Sequence, residues 1–250
     1  MEHIVEHIVT ITDLNYSYHD GHRVLSSVNL AIERGEVFGI IGPTGAGKST
    51  LLQHLNGILT GDGDISIDGV AIEKKNDRII KEKVGIVFQN PDDQLFCPTV
   101  YEDIAFGLFN LGFQTAEIDT KVNEILEKMN LSHLKDLSSH HLSFGEKKRV
   151  AVATTLVMNP LVLALDEPFA NLDYKSIINI IEIIKMLPLT RVIISQDILL
   201  ALSICDRIAI LDKGKIVKVA SPEEIAADHE TLSKSGLDFG PYLDIIRKFV

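Results

Sequence analysis

The sequence lacks tryptophan and has few cations for its size. Lys and Arg sum to 24 and Asp and Glu to 35, which leaves a formal net charge of −11. With 10 Phe and 5 Tyr, side chains on which nucleic-acid bases stack are scarce. A surface this negative neither neutralises a phosphate backbone nor attracts anionic lipid headgroups. We therefore expect no nucleic-acid partner and no direct electrostatic binding to a lipid surface.

Cysteines and long apolar runs are also scarce. The two cysteines, Cys97 and Cys205, do not make a disulfide framework, and their scarcity suits a reducing compartment. No segment reaches the roughly 18 uncharged apolar residues of a membrane-spanning helix. The best candidate, residues 177–189, is interrupted by Glu182 and Lys185. The N-terminus has no basic stretch before an apolar one, so the sequence predicts no secretion signal.

The rest of the composition, with 46% apolar and 24% charged residues, is that of a globular protein. Short apolar strands alternate with helical patterns, which is typical of an α/β fold. Residues 36–42 are almost continuously apolar, as a strand buried on both faces would be. Residues 65–67 and 70–72 flank Asp68-Gly69, a dipeptide that predicts a hairpin turn. Further strands are predicted at residues 84–88, 161–165, 191–195 and 207–211.

Between residues 91 and 158 the pattern becomes helical. Capping boxes beginning at Thr99 and Ser143 predict two helix starts, the second helix running to Met158. Ser221 followed by Pro and two Glu residues predicts a further helix start. We therefore predict one domain over residues 1–250. It has a parallel-sheet core at about 1–90 and 159–220, an inserted helical subdomain at about 91–158 and a C-terminal helical tail at about 221–250.

A phosphate-binding loop is predicted directly after the first buried strand. Its pattern, G-x-x-x-x-G-K-[ST], lies between that strand and a helix predicted over residues 49–59, the context that the motif needs. The glycines let backbone N–H groups converge on phosphate oxygens, and the helix N-terminus adds positive potential. The alternative is a glycine-rich turn without a ligand. The lysine should bridge the β- and γ-phosphates and the serine should bind Mg²⁺. The loop consists of Gly42, Pro43, Thr44, Gly45, Ala46, Gly47, Lys48 and Ser49.

Two carboxylates end another apolar strand. Asp166 and Glu167 follow Leu161–Leu165. Next to a phosphate site, Asp166 is expected to hold Mg²⁺ through water, and Glu167 to polarise the attacking water as a general base. The alternative is an acidic pair that complements the dipole of a following helix.

Together these motifs resemble the ATP-binding-cassette (ABC) ATPases over essentially the whole chain. The resemblance implies an α/β fold of the P-loop NTPase (RecA-like) type, with a parallel-sheet core, an N-terminal antiparallel β part and an inserted helical subdomain. It also implies ATP and Mg²⁺ as ligands. The motifs that carry it, in the family's order and spacing, are the phosphate loop, Gln89, Leu142-Ser143-Phe144-Gly145-Glu146, Asp166-Glu167 and Asn171-Leu172-Asp173.

The resemblance assigns roles to further residues. Tyr18 matches the aromatic that stacks on adenine, and Thr50 belongs with the phosphate loop among the nucleotide-binding residues. Gln89 is expected to join Ser49 and Asp166 at Mg²⁺. Two cassettes are expected to dimerise head to tail, so that each ATP lies between the phosphate loop of one and the signature sequence of the other. The signature sequence here is Ser143, Phe144, Gly145 and Glu146.

Three longer segments resemble the energy-coupling-factor ATPases, and among them most closely the cobalt-uptake branch. These segments are residues 53–59, 87–96 and 141–151. The resemblance implies an import motor at the cytoplasmic face of the cell membrane, held there by a membrane coupling subunit and a substrate-binding membrane subunit. Cobalt, nickel or a vitamin are all compatible as cargo, and the second ATPase subunit is either identical or different. Soluble cassette ATPases of DNA repair or translation fit less well, because no long coiled coil and no second cassette is present.

Three positions depart from the family pattern. Phe144 replaces a glycine, Glu146 replaces a glutamine, and Gln196 stands where the family has a histidine that contacts the γ-phosphate. A Gln amide donates a hydrogen bond but carries no charge and shuttles no proton. We keep Gln196 as a catalytic candidate beside Glu167. Gln196 and Glu146 motivate an alternative, an ATP-gated subunit with weak hydrolysis that is the degenerate half of a heterodimer. The cations at 147–149 are interpreted as a solvated helix face.

A docking surface for the membrane partner is predicted after Gln89. Asp92 and Asp93 stand beside Leu95 and Phe96, and the Asn-Pro turn before them should project the segment from the core. An amphipathic helix with an arginine fits such a surface, because its apolar face meets the Leu and Phe and its guanidinium meets the carboxylates. The alternative is a solvated acidic loop with both apolar side chains turned into the core.

Overall fold

The computed structural model describes residues 6–240. Over that range the chain forms ten strands and nine α-helices. The strands are β1 His7–Ser17, β2 Arg23–Glu33, β3 Val37–Ile41, β4 Asp62–Ile67, β5 Val70–Ala71, β6 Val84–Val87, β7 Val162–Asp166, β8 Thr190–Ser195, β9 Arg207–Asp212 and β10 Lys215–Ala220. The helices are α1 Lys48–His54, α2 Asp77–Lys83, α3 Val100–Leu111, α4 Thr115–Lys128, α5 Phe144–Leu156, α6 Tyr174–Met186, α7 Ile198–Ile204, α8 Pro222–Ala227 and α9 His229–Lys234.

The strands form two sheets. One is antiparallel and N-terminal, in the order β2-β1-β4-β5, and the other has the order β10-β9-β3-β8-β7-β6. In the second sheet β9, β3, β8, β7 and β6 run parallel, and β10 is the antiparallel edge. The predicted hairpin is confirmed, since Ile67 lies opposite Val70. The fold is therefore the predicted α/β arrangement of a parallel core with an N-terminal antiparallel part.

The side chains of the parallel sheet alternate between two apolar clusters. On β7, Leu163 and Leu165 point into a cluster shared with helices α3 to α9. Val162 and Ala164 point the other way, toward α1 and the antiparallel sheet. Every residue of β3, β7 and β8 is buried. Burial on both faces explains why these strands read as continuous apolar runs in the sequence.

Side-chain caps set three helix starts as predicted. Thr99, Ser143 and Ser221 each form a complete capping box with the Glu three residues later. Two predicted ends are too long: α5 ends at Leu156, and α1 ends at His54 shortly before a left-handed Gly57. The tail contributes Ile225, Leu232 and Leu237 to the helical cluster. Its predicted part at residues 241–250 lies outside the described residues.

The turn between β9 and β10 is hydrogen-bonded both to the phosphate loop and to the antiparallel sheet. The N–H of Gly214 donates to the carbonyl of Ala46 at 3.1 Å, and its carbonyl accepts the N–H of Ser26 at 2.9 Å. Gly214 has a φ of 74°, and a Cβ on it would lie 2.2 Å from the carbonyl oxygen of Val24. Only glycine fits this place, so the turn is bound to both the loop and the antiparallel sheet.

The segment from Pro91 to Asn159 carries α3, α4 and α5, which contact one another. Its separation as a helical subdomain, with the boundaries given above, stays a prediction. Among the helices between residues 6 and 240, none combines the length and apolar character needed to cross a bilayer.

Candidate nucleotide-binding site

The phosphate loop connects β3 to α1 at the edge where the parallel strands end. Gly47 is the N-cap residue of α1 with a φ of 103°, and no side chain caps this helix. Gly45 is also left-handed, with a φ of 80°. The first N–H groups of α1 are therefore free of side-chain partners and face the loop, as an anion site requires.

Lys48 is buried in the loop, only 6% exposed. Its Nζ donates to the carbonyl oxygens of Gly42 at 2.8 Å and Pro43 at 3.1 Å. Burial lowers the pKa of the Lys48 ammonium, and the carboxylates of Glu167 and Asp166 partly oppose that shift. The ammonium group thus lies in the loop, at the position where the motif needs a phosphate ligand.

Asp166 is the last residue of β7, and Glu167, which follows it, lines the same cleft as Lys48. Glu167 has a left-handed φ of 44°, and its N–H donates to the carbonyl of Ile194 at 3.0 Å. Its Oε2 accepts the N–H of Gln196 at 3.1 Å. Burial raises the pKa of both carboxyl groups. A non-glycine residue in this conformation is strained, and such strain is concentrated at functional sites.

The chemistry of the donors fits a magnesium ion. Asp166 Oδ1 and Glu167 Oε1 are buried and have no hydrogen-bond partner. The neighbouring Ser49 hydroxyl partly opposes the upward shift of the Asp166 pKa. Carboxylate and hydroxyl oxygens are what Mg²⁺ binds in phosphate sites. Ser49 and Asp166 therefore suit the ion, and Gln89 lines the same cleft.

These residues open onto one cleft of about 360 Å³. A larger cleft of about 950 Å³ lies beside Tyr16 and Arg23, but none of the predicted site residues lines it. We place the site in the smaller cleft, because the charged and glycine-rich groups converge there. Its lining includes Tyr18, Thr44, Gly45, Gly47, Lys48, Ser49, Thr50, Gln89, Glu167 and Gln196.

Two side-chain contacts cross this cleft. The Tyr18 hydroxyl lies 3.0 Å from the Thr50 hydroxyl, and Tyr18 is 42% exposed, so part of its ring remains open to a base. The Thr44 hydroxyl donates to Gln196 Oε1 at 3.0 Å. Gln196 thus bridges Thr44 of the phosphate loop and the Glu167 carboxylate, and its contact with the γ-phosphate stays a prediction.

The signature sequence does not line this cleft. Ser143 and Glu146 close the start of α5: the Glu146 carboxylate accepts from the Ser143 N–H at 2.8 Å and from its hydroxyl at 2.7 Å. These bonds lower the pKa of the Glu146 carboxyl. Ser143, Gly145 and Glu146 border a separate cleft of about 530 Å³. Within one chain they are therefore separated from the nucleotide cleft.

The interpretation of residues 147–149 as a solvated face is wrong for Lys148. This lysine is 1% exposed, and its Nζ donates to the carbonyls of Phe88 and Glu167, each at 3.4 Å. Burial lowers its pKa to about 8, against the opposing effect of Asp166 and Glu167. The buried positions run without a break from Val150 to Thr155, so helical periodicity in the sequence does not single out Lys148.

The predicted docking segment is only partly exposed. Leu95 is 4% exposed and belongs to the helical core, so its place on the docking surface is wrong. Phe96 is 65% exposed and packs edge-on against Phe106, with ring centroids 5.0 Å apart. Asp92 pairs with Lys147 at 2.6 Å. A loop has no periodicity that would separate an inward Leu from an outward Phe.

Gln94, a residue not predicted, fastens the segment to α5. Its amide nitrogen donates to the carbonyl of Ala151 at 2.9 Å and to the hydroxyl of Thr154 at 2.8 Å. Its amide oxygen accepts the N–H of Phe88 at 3.2 Å. The docking segment and the signature helix are thus tied by side-chain bonds.

Comparison with known proteins gives concordant matches. The family model described as ABC transporter matches residues 25–170. The energy-coupling factor transporter ATP-binding protein EcfA of Methanothermobacter thermautotrophicus is 43% identical over 247 residues, covering 96% of this chain and 79% of the relative. EcfA of Methanoculleus marisnigri is 42% identical over 246 residues, covering 96% and 89%.

Solved structures agree with the sequence relatives. CbiO1 from Clostridium perfringens, described as part of the ABC transporter complex CbiONQ, matches with a TM-score of 0.82 and 39% identity over 97% of this chain and 99% of that one. A dimeric ATP-binding cassette in a post-hydrolysis state, bound to ADP and Pi, matches with a TM-score of 0.77 and 27% identity, covering 86% and 98%.

Proposed function

The chain belongs to the ABC transporter family and is one of its ATPases, and from that premise we propose that it powers import in an energy-coupling-factor transporter. Its relatives include EcfA subunits and CbiO1, and its described residues include no membrane-crossing helix. In this proposal it works at the cytoplasmic face of the cell membrane, held by a coupling subunit and a substrate-binding subunit. The observation that carries the hydrolytic role is that Lys48 and Glu167 line one cleft, with Asp166 buried directly before Glu167 at the end of β7.

Each side chain has a proposed task. The free N–H groups at the start of α1 bind phosphate oxygens, and Lys48 leaves its loop carbonyls to bridge the β- and γ-phosphates. Tyr18 supports the adenine, and Thr50 contributes a hydroxyl to the nucleotide site. Ser49, Asp166 and Gln89 would hold Mg²⁺, which when bound neutralises phosphate charge. Glu167, whose pKa is raised by burial, takes the proton of the attacking water while Gln196 orients that water.

A second ABC ATPase subunit completes each site. Ser143, Phe144, Gly145 and Glu146 lie outside the nucleotide cleft of their own chain, which fits a role toward ATP held by the partner. A dimeric cassette among the solved structures supports this arrangement. The second subunit is either a copy of this chain or a related chain.

The membrane coupling subunit is proposed to dock beside the Gln89 segment. Phe96 and Phe106 give exposed aromatic area, and Asp92 and Asp93 flank it with carboxylates. A partner helix with an arginine would compete with Lys147 for Asp92, since both are cations. We predict that Asp92→Ala/Asp93→Ala weakens co-purification with the coupling subunit or removes its stimulation of hydrolysis, while basal ATPase survives.

The docking test has a matched control. Asp62 and Asp64 form an exposed acidic pair on β4, so Asp62→Ala/Asp64→Ala removes the same charge elsewhere. Full assembly and full stimulation of the Asp92/Asp93 variant would reject the docking role. Cobalt, nickel and vitamins remain the proposed cargo classes, and uptake assays on the assembled transporter with each class distinguish them.

The test of the hydrolytic role is Glu167→Gln. We expect ATP binding to persist, an ATP-bound dimer to accumulate and hydrolysis to fall by about 10²- to 10⁴-fold, the usual contribution of general-base catalysis. Glu124→Gln, at an exposed position on α4, is the control. Unchanged turnover of Glu167→Gln would remove Glu167 from the chemistry.

A second function is supported by the hydrogen bond between Thr44 and Gln196. With Gln196 in place of a histidine, this chain would be the weakly hydrolysing half of a heterodimeric motor. Gln196→His should then raise the steady-state rate. An unchanged rate would favour the first proposal with turnover limited elsewhere.

A further inference from the structure

Lys148 is a fully buried cation that the proposed chemistry does not use. It lies one turn into α5, the helix that begins after Ser143, and only 1% of its surface is exposed. A buried ammonium is costly unless carbonyl or carboxylate oxygens compensate it. The oxygens that do so here belong to the two strand ends that border the nucleotide cleft.

The two acceptors of Lys148 come from neighbouring strands. Phe88 follows β6 directly and precedes Gln89, while Glu167 follows β7 directly. β6 and β7 pair in parallel, so both ends meet at one edge of the sheet. The Lys148 Nζ lies 3.4 Å from each carbonyl oxygen and donates to both. One side chain of α5 therefore joins the backbone before Gln89 to the backbone of Glu167.

The contact with Lys148 holds Glu167, whose backbone conformation is strained. Glu167 has a φ of 44°, a conformation that a non-glycine residue keeps only where its surroundings hold it. Its N–H is held by Ile194 at 3.0 Å. Its carbonyl accepts the N–H of Ala170 at 3.2 Å and the Nζ of Lys148 at 3.4 Å. With both ends of the residue held, the carboxylate stays directed into the cleft.

We propose that Lys148 is a positioning residue for ATP hydrolysis, holding Glu167 and the Gln89 segment in register with the start of α5. The inference rests on the proposed catalytic role of Glu167. The preceding residue, Lys147, pairs with Asp92 on the docking segment. Lys147 and Lys148 of α5 thus contact the docking segment and the backbone of Glu167, respectively. A movement of α5 would therefore be transmitted to both.

The experiment compares Lys148→Met with wild type in the full-length chain. Met keeps the apolar stem and removes the charge and the N–H donors. We expect kcat to fall by about 10- to 100-fold, the usual effect of displacing a catalytic group by about 1 Å, with KM for ATP changed by less than about threefold. Lys185→Met, at an exposed position on α6, should match wild type.

A double-mutant cycle shows whether Lys148 acts through Glu167. In the Glu167→Gln background, Lys148→Met should lower the residual single-turnover rate by less than about twofold, because residues that act as a unit are not additive. The same fold loss in both backgrounds would overturn the inference. So would a kcat within twofold of wild type, or a rise in KM at unchanged kcat.

The experiment distinguishes a failure of the proposed role of Glu167 from a failure of the positioning role of Lys148. If Glu167→Gln alone retains wild-type hydrolysis, the proposed role of Glu167 fails. If Glu167→Gln loses hydrolysis and Lys148→Met does not, only the positioning role fails. Should Lys148→Met not fold, Lys148→Gln replaces it under the same criteria. Loss of folding in both would overturn the inference by showing that Lys148 serves the fold alone.

Discussion

The N-termini of α1 and α5 differ in whether a side chain caps them. α1 begins after Gly47 with no side-chain cap. α5 begins after Ser143, whose hydroxyl accepts the N–H of Glu146 while the Glu146 carboxylate accepts the N–H of Ser143. The N-terminus of α1 therefore offers free N–H groups beside the buried Lys48. At the N-terminus of α5, side chains of the helix itself occupy the N–H groups.

An uncapped helix N-terminus leaves N–H groups that can bind an anion, whereas a side-chain cap satisfies those groups and stabilises the helix. α1 therefore gives up a stabilising contact that the bound phosphate supplies. α5 keeps its cap and places a negative charge where the partner's triphosphate is proposed to lie.

The largest effect should come from removing the cation at the open end. Lys48→Ala is expected to lower ATP affinity by at least about 100-fold, because hydrogen bonds to charged groups contribute about 1.5–3 kcal/mol and the ammonium is proposed to bridge two phosphates. Isothermal titration with ATP and Mg²⁺ measures this, with Lys185→Ala as the control. Unchanged affinity would mean that the loop is a turn without a ligand.

A smaller loss should follow from distorting the same end. Gly47→Ala places a Cβ at a φ of 103°, about 3.1 Å from the Val24 carbonyl oxygen. We expect the free energy of unfolding to fall by about 1–3 kcal/mol and ATP affinity to fall with it. Gly21→Ala, at a left-handed glycine with open space around it, is the control for strain alone. Equal losses of affinity in both variants would contradict a specific role for Gly47.

Opening the closed end should have a moderate effect. Ser143→Ala removes the hydroxyl of the capping box, and caps of this kind contribute about 1 kcal/mol to stability. Thermal unfolding should register that loss, while ATP affinity of the isolated chain stays unchanged because Ser143 does not line its cleft. A fall in monomer affinity would place Ser143 in the chain's own site.

The smallest effect concerns the charge of Glu146. Its pKa lies below the usual 4.5, so its charge stabilises the fold above that pH, and this contribution disappears as the pH falls through the lowered pKa. Glu146→Gln should cost a few tenths of a kcal/mol at neutral pH, since the group is partly exposed and screened. The difference from wild type should vanish in acid.

The same variant sharpens the contrast in the dimer. At neutral pH, Glu146→Gln removes one negative charge from the surface proposed to face the partner's nucleotide, so ATP-driven dimerisation should tighten modestly and the gain should fade with salt. Sedimentation in ATP at low and high salt measures it. Weaker dimerisation that ignores salt would show that the cap matters more than the charge.

Local patterns predicted the parts of the site that are local in sequence. The phosphate loop, the capping boxes and the carboxylates after β7 each lie within a few residues, where spacing alone fixes geometry. Lys148 and Leu95 were misplaced because their surroundings come from distant strands and helices. The contact of Lys148 with Glu167 spans 19 residues and that with Phe88 spans 60, distances over which no periodicity operates.

The packing of the turn at Gly214 restricts which residues this position can accept. A side chain at this position would strike the carbonyl of Val24, and the backbone it would displace holds the carbonyl of Ala46. In a saturation library selected for ATP-dependent uptake, position 214 should accept glycine alone. The neighbouring Lys213, which is exposed, should accept many residues that tolerate its φ of 46°. A codon more than 160 places beyond the phosphate loop is thus under the same selection as the loop itself.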